Sequence, residues 1–359
     1  MARVARRRRP RLSAALALTA LMSAATLATD VPEHHAEQGF RNPSSDSVHG
    51  GIASFFRVIR LRFFSDAWQT YDPERDQVPL ATPSLASGPS SNAAITWVGH
   101  ATVLVQHQGI NVLTDPMFSE RASPVPIIGP RRVTSPAIAI EHLPPIHVVV
   151  ISHNHYDHLD GASIKALGNG PIYFVPLGLQ EWLRSRGIAS DRVVEMDWWD
   201  GRDHTTGDRK LRITATPSQH FSGRGFADRN ATLWASWSVA WDDFRIWFGG
   251  DTGYNDQQFK EIGQRLGTID LAMIPIGAYE PRSFMRAVHV NPEEAVRIHE
   301  DLGATASMAI HWGTFSLSAE GVVTPLHALA EARREAGIGE SDFAAFAVGE
   351  TRRYATRPH

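Results

Sequence analysis

HVVVISHNHYDHLD, residues 147–160, is a run of apolar, mostly β-branched residues that breaks into a turn carrying His153, His155, Asp157 and His158. Val148–Ile151 has the composition of a buried strand. The chain therefore leaves a sheet and at once presents three imidazoles and a carboxylate within six residues. Folding stability does not require that density of polar rings. Neutral imidazole nitrogen and carboxylate oxygen are the donors zinc accepts. The sequence holds no cysteine, so thiolate ligands, a disulfide framework and a cysteine nucleophile are all excluded.

The same arrangement recurs three times. LRITATPSQHF (211–221) ends a strand pattern at His220, RIWFGGDTGY (245–254) at Asp251 beside two glycines, and SMAIHWGTF (307–315) at His311. Taken singly, each histidine reads as an ordinary surface or core residue, and Asp251 before Thr-Gly reads as a turn former. Taken together they complete a cage that residues 153–158 leave open, because strand C-terminal ends in α/β proteins are where distant residues meet. Seven ligands suit two cations. Ten short apolar strand patterns between Ile95 and Ile310 interleave with capped helical runs that open at Asn255, Asn291 and Thr324. That order predicts an α/β architecture.

Around this body, 359 residues with 43% hydrophobic and 20% charged residues give an ordinary globular balance. Residues 1–28 place six arginines before an apolar run from Leu12 to Ala28, the layout of an export signal peptide, with an uncleaved anchor as the alternative. Removal after Ala28 takes six arginines and no acid, moving the formal charge from -3 to -9. So acidic a protein is unsuited to nucleic acid. Residues 29–93, rich in Pro, Ser and Gly, are expected to wrap on the body, and 94–359 form the catalytic domain. Within the extension, Gly51–Trp68 interleaves apolar residues with Arg57, Arg60 and Arg62. It reads as a lipid-surface helix or as packing with solvated arginines.

At the residues quoted, the sequence resembles the metallo-β-lactamase superfamily, whose H-x-H-x-D-H motif is matched at 153–158. It is similar in particular to the branch of N-acylphosphatidylethanolamine-hydrolysing phospholipase D and its bacterial relatives. The resemblance runs through ITWVGHATVLVQ, LTDPMFSERASPV, TPSQHFSGRG, FGGDTGY, IPIGAYEPRSFM and HVNPEEAVRIHEDL, covering nearly all of 95–317 in order. The stretch after His220, FSGRGFADRN, departs from the animal enzymes.

This resemblance implies an αβ/βα sandwich: two mixed β-sheets packed face to face, with helices outside. It implies two Zn2+ ions per chain, one on His153, His155 and His220 and the other on Asp157, His158 and His311, with Asp251 bridging. His289 corresponds to the family's active-site loop histidine. The expected activity is phosphodiester hydrolysis by a hydroxide shared between the ions, with Asp157, Asp251 and His289 as catalytic residues. The expected substrate is N-acyl phosphatidylethanolamine or a related amphiphile; lactone or amide hydrolysis on the same di-zinc site is the alternative. Peripheral membrane contact, a homodimer and a periplasmic or membrane-associated location are further expectations.

Three residues and the tryptophans stay open on sequence alone. Asp115, in LTDP, reads equally as a partner of a ligand imidazole or as a turn. His100 is ambiguous, His299 reads as structural, and the ten tryptophans read mainly as core.

Overall fold

The computed structural model describes Met1, residues 31–43, Arg60, and residues 68–88, 90–125, 127–225 and 227–358. The expected leader and, apart from Arg60 and Trp68, the basic Gly51–Trp68 segment lie outside the described residues.

The body opens with β1 (Ala93–Gly99), β2 (Thr102–His107), β3 (Ile110–Thr114), β4 (Val148–Val150), β5 (Ile172–Pro176) and β6 (Val193–Met196). The second half supplies β7 (Gly201–Thr206), β8 (Arg209–Thr216), β9 (Ser236–Ala240), β10 (Arg245–Phe248), β11 (Ile269–Pro275), β12 (Ala304–Ile310) and β13 (Phe343–Ala344). A last strand, β14 (Thr351–Tyr354), returns to the first sheet beside β1. The result is two seven-stranded sheets, ordered β14-β1-β2-β3-β4-β5-β6 and β13-β12-β11-β10-β9-β8-β7. Both are mixed, with parallel β3-β4-β5-β6 in one and parallel β10-β11-β12-β13 in the other.

Period-2 alternation explains the layering. Val103, Val105, Val112, Val148, Val150 and Phe174 join Ile213, Trp237, Val239 and Phe248 of the opposite sheet in one core. Their neighbours Leu104, Leu113, Val149, Tyr173 and Val175 point outward. There they meet Ile164 of α1 (Gly161–Leu167) and Leu183 of α2 (Gln180–Arg184). Strands buried on both faces carry apolar residues without a polar side, as the sequence of β4 does. Trp97, Trp234, Trp237 and Trp247 are fully buried, so these tryptophans are core.

Helices α3 (Gln258–Leu266), α4 (Arg282–Met285), α5 (Pro292–Leu302) and α6 (Thr324–Ala336) belong to the second half. The start of α5 follows from its sequence: Asn291 accepts from the Glu294 amide, Glu294 accepts from the Asn291 amide, and Pro292 needs no donor partner. Gly303, at φ 60°, ends it in the left-handed conformation glycine tolerates.

Direction matters more than layering for the site. Strands β1, β3 and β4 share one direction in their sheet, as do β8, β10 and β12 in theirs, because the intervening β2 and β9 are antiparallel. Six strand C-termini therefore deliver His100, Asp115, the 153–158 turn, His220, Asp251 and His311. The segments that leave β11 and β12, neighbours in the second sheet, also run close together at the site: a Cβ on Gly277 would lie 2.1 Å from the carbonyl oxygen of His311. Gly277→Ala is accordingly expected to cost about 1–3 kcal/mol of folding free energy. Urea denaturation measures this, and an unchanged midpoint would remove the close backbone approach as a constraint.

Candidate metal centre

The seven residues singled out from sequence converge, and their donor atoms form two adjoining groups. In the first, His153 Nε2 lies 2.8 Å from His155 Nδ1, and His220 Nε2 lies 3.2 Å from the same atom. In the second, His311 Nε2 is 3.1 Å from His158 Nε2 and 3.3 Å from Asp157 Oδ2, with His158 Nε2 3.4 Å from that oxygen. Asp251 stands between them. Its Oδ2 is 3.1 Å from His158 Nε2, 3.7 Å from His220 Nε2 and 3.8 Å from His153 Nε2; its Oδ1 is 3.1 Å from His311 Nε2.

Ring nitrogens packed so closely invite a cation. Tetrahedral zinc with bonds near 2.1 Å holds its ligand nitrogens about 3.4 Å apart, close to the separations found here. The tautomers agree. His220 Nδ1 lies 2.9 Å from the Val288 carbonyl, which only accepts, so Nδ1 carries the proton and Nε2 is left for the site. His158 Nδ1 donates to Asp115 Oδ2 at 2.6 Å. Ser152 Oγ donates to the same carboxylate at 2.5 Å and accepts from His153 Nδ1 at 2.9 Å. Asp115, fully buried, thus holds the His158 ring directly and the His153 ring through Ser152 with one carboxylate, the arrangement an orienting partner needs. The donor set fits a divalent metal.

Charge supports the same reading. Burial, reinforced by neighbouring histidines, holds His153 well below its ordinary value. Burial takes His155 down to about 4 and His220 down to about 3. It acts against a charge on His158 and His311 too, but the carboxylates of Asp251 and Asp157 outweigh it, raising His158 well above the usual range and His311 to about 9. A cation arriving at the second group would replace those protons as the counter-charge to two buried carboxylates.

Sequence reasoning left some of this unseen. His100 Nε2 donates to Asp157 Oδ2 at 2.9 Å, the contact that fixes this ligand. His289 is buried, with Nδ1 3.9 Å from Asp251 Oδ2 and without a hydrogen bond. His299 instead bonds Ser307 Oγ away from the cage. Ser152, Arg224 and Asn42 carried no motif signal. Arg224 donates to the carbonyls of Asn154 and Leu159 and lies over the Tyr156 ring, bracing the turn. Asn42, from the extension, brackets the His220 backbone: its amide donates to the His220 carbonyl at 2.8 Å and its oxygen accepts from the His220 amide at 3.2 Å. His100, Asp115 and His311 all adopt positive φ (55°, 29° and 61°), so strained backbone clusters where the ligands leave their strands.

With fold and centre established, the chain belongs to the metallo-β-lactamase superfamily, and it is a metal-dependent hydrolase. The family model for the beta-lactamase superfamily domain matches residues 110–312. Among relatives, the chain is 38% identical over 289 residues to N-acyl-phosphatidylethanolamine-hydrolyzing phospholipase D 1 of Caenorhabditis elegans, covering 77% of this chain and 81% of that one. It is 44% identical over 247 residues to an uncharacterized protein of Mycobacterium tuberculosis, covering 67% of this chain and 64% of the other. Among solved structures, an isothiocyanate hydrolase from Delia radicum gut bacteria superposes with a TM-score of 0.56 at 21% identity, over 72% of this chain and 98% of that one, and shares the fold.

Two outcomes follow. Asp115→Asn is expected to weaken metal binding about 10–100-fold, read by competition with a chromophoric chelator; unchanged affinity would dissociate Asp115 from the ligands. In the metal-free protein, burial holds His100, His220 and His289 at about 3 against an ordinary 6.5. Between those values the unfolded chain binds protons that the folded chain does not, so stability falls as pH falls. His158 and His311 stay protonated in the folded state, and well below 6.5, where the unfolded histidines are protonated too, they contribute no slope. The melting temperature of chelator-treated protein should therefore drop from pH 6.5 to about 4.5, and a flat profile would contradict it.

Proposed function

We propose that this protein is a di-zinc phosphodiesterase of phospholipase D type, acting on N-acyl phosphatidylethanolamine or a closely related amphiphilic phosphodiester. The observation that carries the reading is Asp251: one buried carboxylate that reaches both ligand groups, with Oδ2 3.1 Å from His158 Nε2 and 3.7 and 3.8 Å from His220 and His153 Nε2, as a pair of ions needs if it is to share a ligand. The worm relative's name supplies the substrate class, and so does that of the N-acyl-phosphatidylethanolamine-hydrolyzing phospholipase D of Saccharomyces cerevisiae, to which the chain is 36% identical over 234 residues.

When bound, two zinc ions supply Lewis acidity toward a phosphoryl oxygen and ionise water near neutral pH. The chain's own residues do the rest. His153, His155 and His220 form one cradle and Asp157, His158 and His311 the other, while Asp115, Ser152 and Val288 keep their lone pairs aimed inward. His289 is held neutral by burial. Its role is therefore to donate an N–H to a phosphoryl oxygen and not to act as an imidazolium acid. Arg282 donates to the His289 carbonyl at 2.8 Å and pairs with Glu294 at 2.5 Å, anchoring that residue on α5. Water adds at phosphorus, the bond from phosphorus to the head-group oxygen breaks, and a phosphomonoester and an alcohol leave.

Purified protein offered N-acyl phosphatidylethanolamine, an aryl phosphodiester and an acyl lactone should release phosphatidic acid from the first, lose that activity to chelation and to Asp251→Asn, and lose about 10²-fold of it in His289→Ala. Turnover of the lactone alone would overturn the phosphodiesterase reading.

A further inference from the structure

A second set of metal-type donors lies outside the cage. His34 Nε2 is 2.6 Å from Asp197 Oδ1 and His35 Nε2 is 2.7 Å from Asp197 Oδ2, and ligand atoms of the three residues fall within 4.8 Å of one another. We propose that His34, His35 and Asp197 form a separate divalent-cation site, of the two-histidine, one-carboxylate class, that fastens residues 31–43 to the body.

The convergence itself is the first support. An extended strand would send adjacent side chains to opposite sides, but His34 lies in a turn and His35 in the bridge after it, and this change of direction brings both Nε2 atoms to one carboxylate. The backbone that achieves this is tightly built. His35 N donates to Pro32 O at 2.9 Å, Ala36 N to Gly39 O at 3.0 Å, and His35 forms a bridge with Phe40. The segment is fixed on the body by Phe40 N to Asn230 O at 2.9 Å, and at Gly39, φ 75°, a Cβ would sit 2.1 Å from that same oxygen. His34 is buried and stacks on Trp198 at 4.2 Å between ring centroids. The side chain of His35 is 27% exposed, which leaves an approach for the ion and for the water that completes a four-coordinate shell.

The donor chemistry suits zinc and similar borderline cations. Without metal, each Nε2–H donates to the carboxylate. For a cation to take both Nε2 lone pairs those atoms give up the protons they donate, and Asp197 supplies the negative charge of the ligand set. Burial opposes that charge, but the bonds from His34 and His35 keep the carboxyl below its usual range. The consequence reaches the catalytic cage through the chain: seven residues beyond His35, Asn42 clasps both backbone groups of His220.

The proposal does not depend on how many ions the cage holds, because its test is a difference. Full-length protein saturated with zinc, freed of excess by gel filtration and assayed by elemental analysis, should carry one zinc per chain more than the His34→Gln/His35→Gln double variant, while Asp251→Asn lowers the count without altering that difference. Equal zinc content in wild type and double variant overturns the site and leaves only a hydrogen-bonded clamp. Should the double variant fail to fold, Asp197→Asn gives the same reading: one zinc fewer supports the site, and an unchanged count overturns it.

Discussion

A carboxylate with no access to water, Asp115, is the constraint on which the centre turns. Burial pushes its pKa up, and the partners that oppose this are His158 and Ser152, the residues whose orientation the cage requires. Removing a charge from water is tolerable only where hydrogen bonds replace the lost solvation. The Asp115 oxygens find theirs in the Ser152 amide, the Ser152 hydroxyl and the His158 ring. Desolvation and ligand orientation are thus one interaction. The same network cannot relax toward a different tautomer without stranding a buried acceptor.

Two sheets contribute to a single cage, so its geometry depends on how they are packed and on the loops of each. Asp115 and the 153–158 turn leave the first sheet, whereas His220, Asp251 and His311 leave the second. The apolar interior between the sheets therefore sets the separation of the two ligand groups. Close-packed interiors transmit small displacements. Gly250, at φ 58° with its missing Cβ only 2.4 Å from the Ser152 Cβ, marks how little room separates the halves beside Asp251.

The interior of the fold was legible because β-branched runs followed by His or Asp are a local signal. All ten predicted strands overlap observed ones, and the seven cage residues were found by pattern. The four strands that carried no signal are the four sheet edges: β6, β7, β13 and β14. Two of these, GRDHTT and TRRY, are polar because an edge strand facing solvent must discourage further pairing. That need erases the apolar alternation by which a strand is recognised. The apolar run that ends in β9 starts at Leu233, but the strand begins only at Ser236, because Leu233 and Ala235 bond the loops at Leu177 and Ser152 instead of a neighbouring strand. His100, Asn42 and the His34–His35–Asp197 cluster were hidden for another reason. Their meaning lies wholly in pairings across 57, 178 and 163 positions, and no window of sequence contains both partners.

The Asn42 clasp also says something about the order in which the molecule comes together. A bond spanning 178 positions closes only after most of the intervening chain has found its place, since the entropy of joining distant ends must be met before the contact contributes. The backbone that presents His220 is thus completed from outside, by a segment docking on an already assembled sandwich. One end of the cage is therefore held by a residue that only the folded sandwich can receive.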